Sequence, residues 1–224
     1  MDFCFKPFHV DVAGFTCILG KRGCGKTTYA KSFVQTFPNH VTVMARTEKA
    51  RTYWREVAQH HPTQMEVHAP SLDILRDLRR NGSNQLIVID DCGALAWFMD
   101  SPELLMLIHE RRNILMTLQH LKHANFAVRE NFDRIFLLGS FPDATVKMLL
   151  QEFVHCTTTD ILKKCISRLS NDRGAACVID NTTHGTNIED ILFHYRFPLQ
   201  LTYCSNPSCY QFADGKFCED CLDT

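Results

Sequence analysis

The chain has 224 residues, of which 45% are hydrophobic, and its formal net charge at pH 7 is −1. That length and apolar content suit one sizeable α/β domain with a small appendage, and the balanced charge excludes binding of nucleic acid through overall basicity. No run of about 18 apolar residues occurs, so the sequence predicts no membrane-spanning helix.

Apolar runs typical of strands alternate with amphipathic runs typical of helices, which predicts a mostly parallel sheet covered by helices. The predicted strands are, in chain order, Gly14–Leu19, Val41–Arg46, Met65–Ala69, Leu86–Ile89, Ile114–Leu118, Arg134–Leu138, Ala175–Ile179 and Ile191–Arg196. The predicted helices are Lys26–Phe37, Arg51–His60, Ser71–Arg80, Pro102–Arg112, Asp143–His155 and Asp160–Leu169. The composition becomes rich in cysteine after Pro198, so we predict one domain over residues 1–198 and a separate tail over residues 199–224.

The turn between the first predicted strand and helix carries a complete phosphate-binding motif. Residues 20–27 read GKRGCGKT and match G-x-x-x-x-G-K-[ST]. Glycines let successive amides point into one cavity, and the following helix adds its positive N-terminal end. We expect Lys26 to bind the β- and γ-phosphates of ATP, Thr27 to bind Mg²⁺ and Thr28 to contact the α-phosphate. The predicted nucleotide-binding residues are Gly20, Lys21, Arg22, Gly23, Cys24, Gly25, Lys26, Thr27 and Thr28.

Cys24, inside this loop, has two readings. It is a nucleophile, or it is a small residue that fills the loop. We favour the second, because a bound nucleotide would cover the thiol.

The apolar strand Leu86–Ile89 is followed by two carboxylates, Asp90 and Asp91. In P-loop enzymes the first acid at such a strand end holds Mg²⁺, and a second acid can act as general base toward the attacking water. We therefore predict that Asp90 joins Thr27 in binding the metal and that Asp91 is the base. Gln119 ends the strand Ile114–Leu118. It would point at the γ-phosphate if that strand lies between the loop strand and the acidic strand, and it could then hold the attacking water. The alternative is a surface glutamine at a strand end.

Two arginines, Arg111 and Arg112, precede that strand. In a ring of subunits one of them could reach the neighbour's phosphates as an arginine finger. A basic helix C-terminus, which favours cations, explains them equally well. His120 and His123 follow the strand, and we read them as ordinary polar residues rather than metal ligands.

Together these motifs resemble the genome-packaging ATPases of large DNA viruses, the poxvirus-type branch of the FtsK–HerA superfamily of P-loop translocases. The matching segments are GKRGCGKTTYAKSF (20–33), LIVIDDCG (86–93), RRNILMTLQH (111–120), FDRIFLLGS (132–140) and AACVIDNTTHGTNIEDILFHYR (175–196). The first is generic to P-loop proteins, whereas the strand ending in Gln119 and the last segment are more specific.

The resemblance implies a P-loop domain of the additional-strand type whose subunits form homo-oligomeric rings. Such rings hydrolyse ATP with Mg²⁺ and move double-stranded DNA into a preformed capsid, so capsid or portal-like viral proteins are implied partners. The expected location is the virion and the host cytoplasm. The family's roles transfer to Lys26, Thr27, Asp90, Asp91 and Gln119, whereas the arginine has two adjacent candidates, Arg111 and Arg112.

Four of the eleven cysteines, Cys204, Cys209, Cys218 and Cys221, crowd into the tail. Four thiolates suit a tetrahedral zinc site, and so short a tail cannot fold on a core of its own. We therefore favour Zn²⁺ binding, with free thiols or a disulfide pair as the alternatives. The other seven cysteines are scattered, and the sequence begins without the features of a signal peptide, which predicts reduced thiols in an intracellular compartment.

Two other functions remain compatible with the sequence. One is a monomeric P-loop kinase or nucleotide-handling enzyme, which would want a lid of several arginines and an acceptor pocket. The other is an interaction module that uses ATP as a switch. Asp91 argues against the switch, because a protein that only binds ATP does not need a second acid.

Overall fold

The computed structural model describes residues 6–8, 13–81, 84–170, 174–183 and 185–196. Within these residues one eight-stranded sheet runs through the molecule in the order β3-β2-β4-β5-β1-β6-β7-β8. The strands are β1 (Phe15–Gly20), β2 (Val41–Ala45), β3 (Met65–His68), β4 (Leu86–Asp90), β5 (Asn113–Leu118), β6 (Arg134–Leu138), β7 (Ala175–Asp180) and β8 (Leu192–Arg196). The first six strands in this order, from β3 to β6, are parallel to one another, and β7 pairs antiparallel with both β6 and β8.

The helices connect the strands and cover both faces of the sheet. They are α1 (Lys26–Thr36), α2 (Glu48–Gln59), α3 (Leu72–Asn81), α4 (Ala96–Met99), α5 (Pro102–His109), α6 (Phe126–Arg129), α7 (Asp143–Glu152), α8 (Thr159–Leu169) and α9 (Ile188–Ile191), with a 3₁₀ turn at Leu121–His123. No helix in the described part of the chain has the length and apolar character needed to cross a membrane.

Two layers of core follow from the period-2 alternation of the strands. On β4, Ile87 and Ile89 pack on one face and Leu86 and Val88 on the other, and all four are buried. The first face is covered by α3, α5, α7 and α8, and the second by α1 and α2. A continuous apolar run therefore marks a strand buried on both faces, as predicted.

The predicted fold class is confirmed: a mostly parallel sheet flanked by helices, with β5 between β1 and β4. Three helix ends differ from the expectation by three residues each. The helix predicted to begin at Arg51 begins at Glu48, because Thr47 caps it by accepting a hydrogen bond from Ala50 N at 3.2 Å. The helix predicted to reach His155 ends at Glu152.

The end of α5 has a specific backbone cause. The helix predicted to reach Arg112 ends at His109, because Arg111 adopts a left-handed φ of 53°. Arg111 N donates to Ile108 O at 2.9 Å and Arg112 N to Leu107 O at 3.2 Å. This is the Schellman pattern of a helix C-terminus, in which glycine is the usual left-handed residue.

The sequence analysis did not predict the short helices. The helices α4, α6 and α9 have four residues each, too few to show a helical period. Residues 197–224, with Cys204, Cys209, Cys218 and Cys221, lie outside the described residues. The domain boundary at 198 and the zinc site therefore remain predictions.

Candidate functional site

The carboxyl ends of β4, β5 and β1 meet at one edge of the sheet. The three strands are adjacent and parallel, with Asp90 beside Thr117 and Leu118 beside Leu19. Ligands of open α/β sheets bind at this edge. The phosphate-binding loop, the two acids and Gln119 follow these strand ends directly, so most of the predicted site residues share one edge.

The loop after β1 needs its glycines. Gly23 and Gly25 have φ values of 82° and 91°, in the left-handed region that side chains avoid. A Cβ at Gly20 would lie 2.4 Å from Cys24 Sγ and 3.1 Å from Leu138 O. The thiol of Cys24 thus packs against the loop backbone, which agrees with its reading as a small filling residue.

The N-terminus of α1 offers amide groups to an anion. The first helical hydrogen bond runs from Tyr29 N to Gly25 O at 2.9 Å, so the amides before Tyr29 precede the helical ladder. Gly25 supplies no capping side chain, and the first turn holds no acid. By contrast, Thr47, Ser101 and Thr158 cap other helices. The positive end of α1 therefore suits phosphate.

Lys26 lies over this loop with only 8% of its surface exposed. Its ammonium donates hydrogen bonds to Gly20 O at 2.8 Å and to Lys21 O at 2.9 Å. Both acceptors are neutral carbonyls, so they leave the positive charge of Lys26 uncompensated. A triphosphate is the kind of ligand that would compensate it.

Thr27 and Asp90 approach each other as a magnesium site requires. Thr27 Oγ1 lies 3.4 Å from Asp90 Oδ2. Hydroxyl and carboxylate oxygens are the hard donors that Mg²⁺ prefers, and Mg²⁺ bound with phosphates needs only one or two carboxylates from the protein. Accordingly, the described residues fit Mg²⁺ although they contain no cluster of three or more His, Cys, Asp or Glu side chains that could hold a metal alone.

Two buried donors that the sequence analysis missed hold Asp90. Thr117 Oγ1 donates to Oδ1 at 2.6 Å, and Trp54 Nε1 donates to Oδ2 at 2.9 Å. Thr117 interrupts the apolar run of β5, and that break was the available signal. Trp54 carried no such signal in the sequence, because it reaches Asp90 only through the packing of α2.

Asp91 and Gln119 contact each other directly. Gln119 Nε2 donates to Asp91 Oδ1 at 2.8 Å, and Asp91 N donates to Thr117 Oγ1 at 2.9 Å. Asp91 has a left-handed φ of 54°, which aspartate tolerates at some cost. Strained backbone held by such contacts is typical of functional positions, and here it keeps the predicted base beside the predicted water-positioning residue.

The two arginines lie at the other end of the sheet. They precede β5, whose six residues at about 3.3 Å each separate them by about 20 Å from its carboxyl end. Arg112 donates to Arg79 O at 3.1 Å and to Glu110 Oε2 at 3.3 Å, whereas Arg111 is exposed. They belong to a basic cavity of about 650 Å³, lined by Arg79, Arg80, Glu110, Arg111 and Arg112.

The two histidines after Gln119 pack edge to face, with ring centroids of His120 and His123 5.1 Å apart. Burial, followed by repulsion from His120, lowers the pKa of His123 below its usual value. His123 is therefore neutral near pH 7. Among the described residues they join no cluster of three or more side chains that could hold a metal.

Comparisons by sequence alone give no relatives. No protein-family model matches the chain, and a search of curated proteins finds no match.

Solved structures do match the fold. B204, the DNA-packaging ATPase from Sulfolobus Turreted Icosahedral Virus, has a TM-score of 0.58 at 12% identity, over 82% of this chain and 97% of that one. The genome packaging NTPase B204 from Sulfolobus turreted icosahedral virus 2, in complex with ATP-gammaS, has a TM-score of 0.59 at 9% identity, over 85% and 100%. EssC (ATPases 2 and 3) from Geobacillus thermodenitrificans has a TM-score of 0.50 at 10% identity, over 82% of this chain and 39% of that one. The chain therefore has the fold of these P-loop ATPases.

Proposed function

We propose that the protein is a magnesium-dependent ATPase that drives viral double-stranded DNA into a capsid, acting as a ring of identical subunits. The observation that carries this proposal is the edge at which the loop of Lys26 and Thr27 faces the acids Asp90 and Asp91. The two viral packaging ATPases that share the fold over nearly their whole length support the choice of process.

Binding would begin at the loop. The amides at the start of α1 and the ammonium of Lys26 grip the phosphates, and Lys26 exchanges its two carbonyl acceptors for phosphate oxygens. Thr27 and Asp90 would hold Mg²⁺ together with the nucleotide. When bound, the metal supplies positive charge that offsets the charge developing on the phosphate oxygens.

Hydrolysis needs a water beside the γ-phosphate and a base to take its proton. Asp91 is the base in this proposal, and Gln119 orients the water. A hydrogen bond of 2.8 Å joins the Gln119 amide to the Asp91 carboxylate. A γ-phosphate that attracts the Gln119 amide would release the Asp91 carboxylate to accept the proton of the water.

Arg111 is the better candidate for acting on a neighbour's nucleotide. Arg112 is held by a backbone carbonyl and by Glu110, but Arg111 is exposed and occupies a left-handed position where glycine is the usual choice. The distance to its own carboxyl edge means that Arg111 would act only across a subunit boundary. The same distance speaks against a kinase, since this arginine cluster cannot form a lid over its own nucleotide.

The proposal is tested by ATP hydrolysis with and without double-stranded DNA, together with the mass of the assembly in the presence of nucleotide. A packaging motor is expected to hydrolyse ATP faster with DNA and to form rings. A monomer indifferent to DNA would indicate the kinase alternative, and ATP binding without turnover would indicate the switch.

The proposed sites of action are the virion and the host cytoplasm. Docking to capsid or portal-like proteins and Zn²⁺ binding by the tail cysteines are further expectations.

A further inference from the structure

A buried indole lies against the acid that would hold magnesium. Trp54 is fully buried, and its Nε1 donates a hydrogen bond of 2.9 Å to Asp90 Oδ2. The same oxygen lies 3.4 Å from the hydroxyl of Thr27. One carboxylate oxygen therefore faces both the phosphate-binding loop and the indole.

Helix α2 fixes the indole relative to the end of β4. Arg51 donates to Ala45 O at 2.9 Å and to Arg46 O at 3.0 Å, which ties α2 to the end of β2. Arg46 N donates to Asp90 O at 3.3 Å. The helix that carries Trp54 and the strand that ends in Asp90 are thus joined through the same short segment.

Trp54 can only be the donor in its hydrogen bond with Asp90. An indole N–H only donates, and a buried Trp usually finds an acceptor for it. Thr117 holds Oδ1 of Asp90 while Trp54 holds Oδ2, so both carboxylate oxygens are fixed from the protein side. Partners of metal ligands orient those ligands and commonly change metal affinity when they are removed.

We propose that Trp54 is a positioning residue for magnesium: its N–H sets the orientation in which Asp90 meets the metal, and thereby the Mg²⁺ concentration that ATP binding requires. The inference rests on the proposed ATP site and adds to it a residue with no contact to nucleotide. Trp54 acts through Asp90, so its loss should change the magnesium dependence rather than the grip on the phosphates.

The chain offers a clean test because it contains two tryptophans, Trp54 and Trp97. Trp97 is 54% exposed on α4, and Trp97→Phe leaves Trp54 alone. Growth of this variant with benzothienylalanine in place of tryptophan then replaces the one indole N–H by sulfur and keeps the ring shape. The quantity measured is the Mg²⁺ concentration at half-maximal binding of a fluorescent ATP analogue.

Replacement of the N–H is expected to raise that concentration roughly 10-fold or more. Binding of the analogue in EDTA should stay as in the Trp97→Phe parent. The matched control is Trp97→Phe grown with tryptophan, which keeps the hydrogen bond between Trp54 and Asp90. This control should leave the magnesium dependence unchanged.

An unchanged magnesium dependence in the sulfur-containing protein would overturn the role of Trp54. The natural indole gives a second readout that does not depend on the replacement: with ATP present, Mg²⁺ should change Trp54 emission with the same half-point as nucleotide binding. Constant emission at saturating Mg²⁺ would also overturn the inference. Failure of the Trp97→Phe parent to bind Mg²⁺ and ATP would instead refute the proposed function.

Discussion

Thr117→Val is the perturbation whose effect the structure allows us to estimate best. The Thr117 side chain is fully buried, and its hydroxyl both donates to Asp90 Oδ1 and accepts from Asp91 N. Valine has nearly the same shape, so the change removes two hydrogen bonds while it keeps the packing of β5. It therefore isolates the connection between the two acids.

The cost follows from the kinds of bond that are lost. A hydrogen bond to a charged group contributes about 1.5–3 kcal/mol and a neutral one about 0.5–1.5 kcal/mol. Burial of the extra methyl group of valine offsets part of this, and we expect a net fall of about 2–3 kcal/mol in the free energy of unfolding. For a chain of 224 residues this corresponds to a melting temperature lower by about 4–12 °C.

Thermal unfolding measures the stability, and steady-state ATP hydrolysis measures the site. The control is Thr42→Val, at an equally buried threonine on β2 with no hydrogen bond to either acid. Turnover should fall in Thr117→Val and persist in Thr42→Val, because only the first change releases Asp90 and Asp91. Equal melting temperatures and equal turnover in the two variants would refute the assignment of Thr117.

Four further substitutions test the assigned roles. Lys26→Ala should abolish binding of a fluorescent ATP analogue, with Lys49→Ala, at an exposed position of α2, as a control that binds normally. Asp91→Asn should preserve that binding and lose turnover, and unchanged hydrolysis would remove Asp91 from the mechanism. Arg111→Gly should keep or raise the melting temperature, because glycine accepts φ of 53° without strain, yet lower the turnover of the assembled protein by roughly 100-fold or more. Arg112→Gly should lower the melting temperature, since it breaks the bond to Arg79 O, and the reverse pattern would exchange the two assignments.

Local signals predicted the strands and most helices. Leu86–Ile89 is uninterrupted and β-branched, so only a strand buried on both faces accommodates it. The start of α5 was predicted from Ser101-Pro102-Glu103, and Ser101 Oγ does accept a hydrogen bond from Leu104 N at 3.3 Å. The end of α5 could not be predicted, because an arginine in a left-handed cap has no sequence signature.

The predictable part of the site was the part encoded in contiguous residues. The loop motif located the phosphate-binding residues, and the paired acids located the strand end. The contact between Trp54 and Asp90 spans 36 residues and depends on how α2 packs against β2 and β3, beside β4. The Asp91–Gln119 bond likewise depends on β5 lying next to β4. Tertiary packing determines such contacts, and they produce no periodic pattern in the sequence.

Two groups of residues that a packaging cycle would need together lie at opposite edges of the sheet. The carboxyl edge gathers the phosphate-binding loop, the acids and Gln119, while the amino edge gathers the arginines around Arg111. Strand β5 runs from the arginines to Gln119, and an extended strand cannot bring its own two ends together. If Arg111 acts on ATP, it acts on the ATP of another copy, and hydrolysis then reports on contact between subunits. In this arrangement β5 joins the γ-phosphate side of one nucleotide site, through Gln119, to the arginine offered to the next.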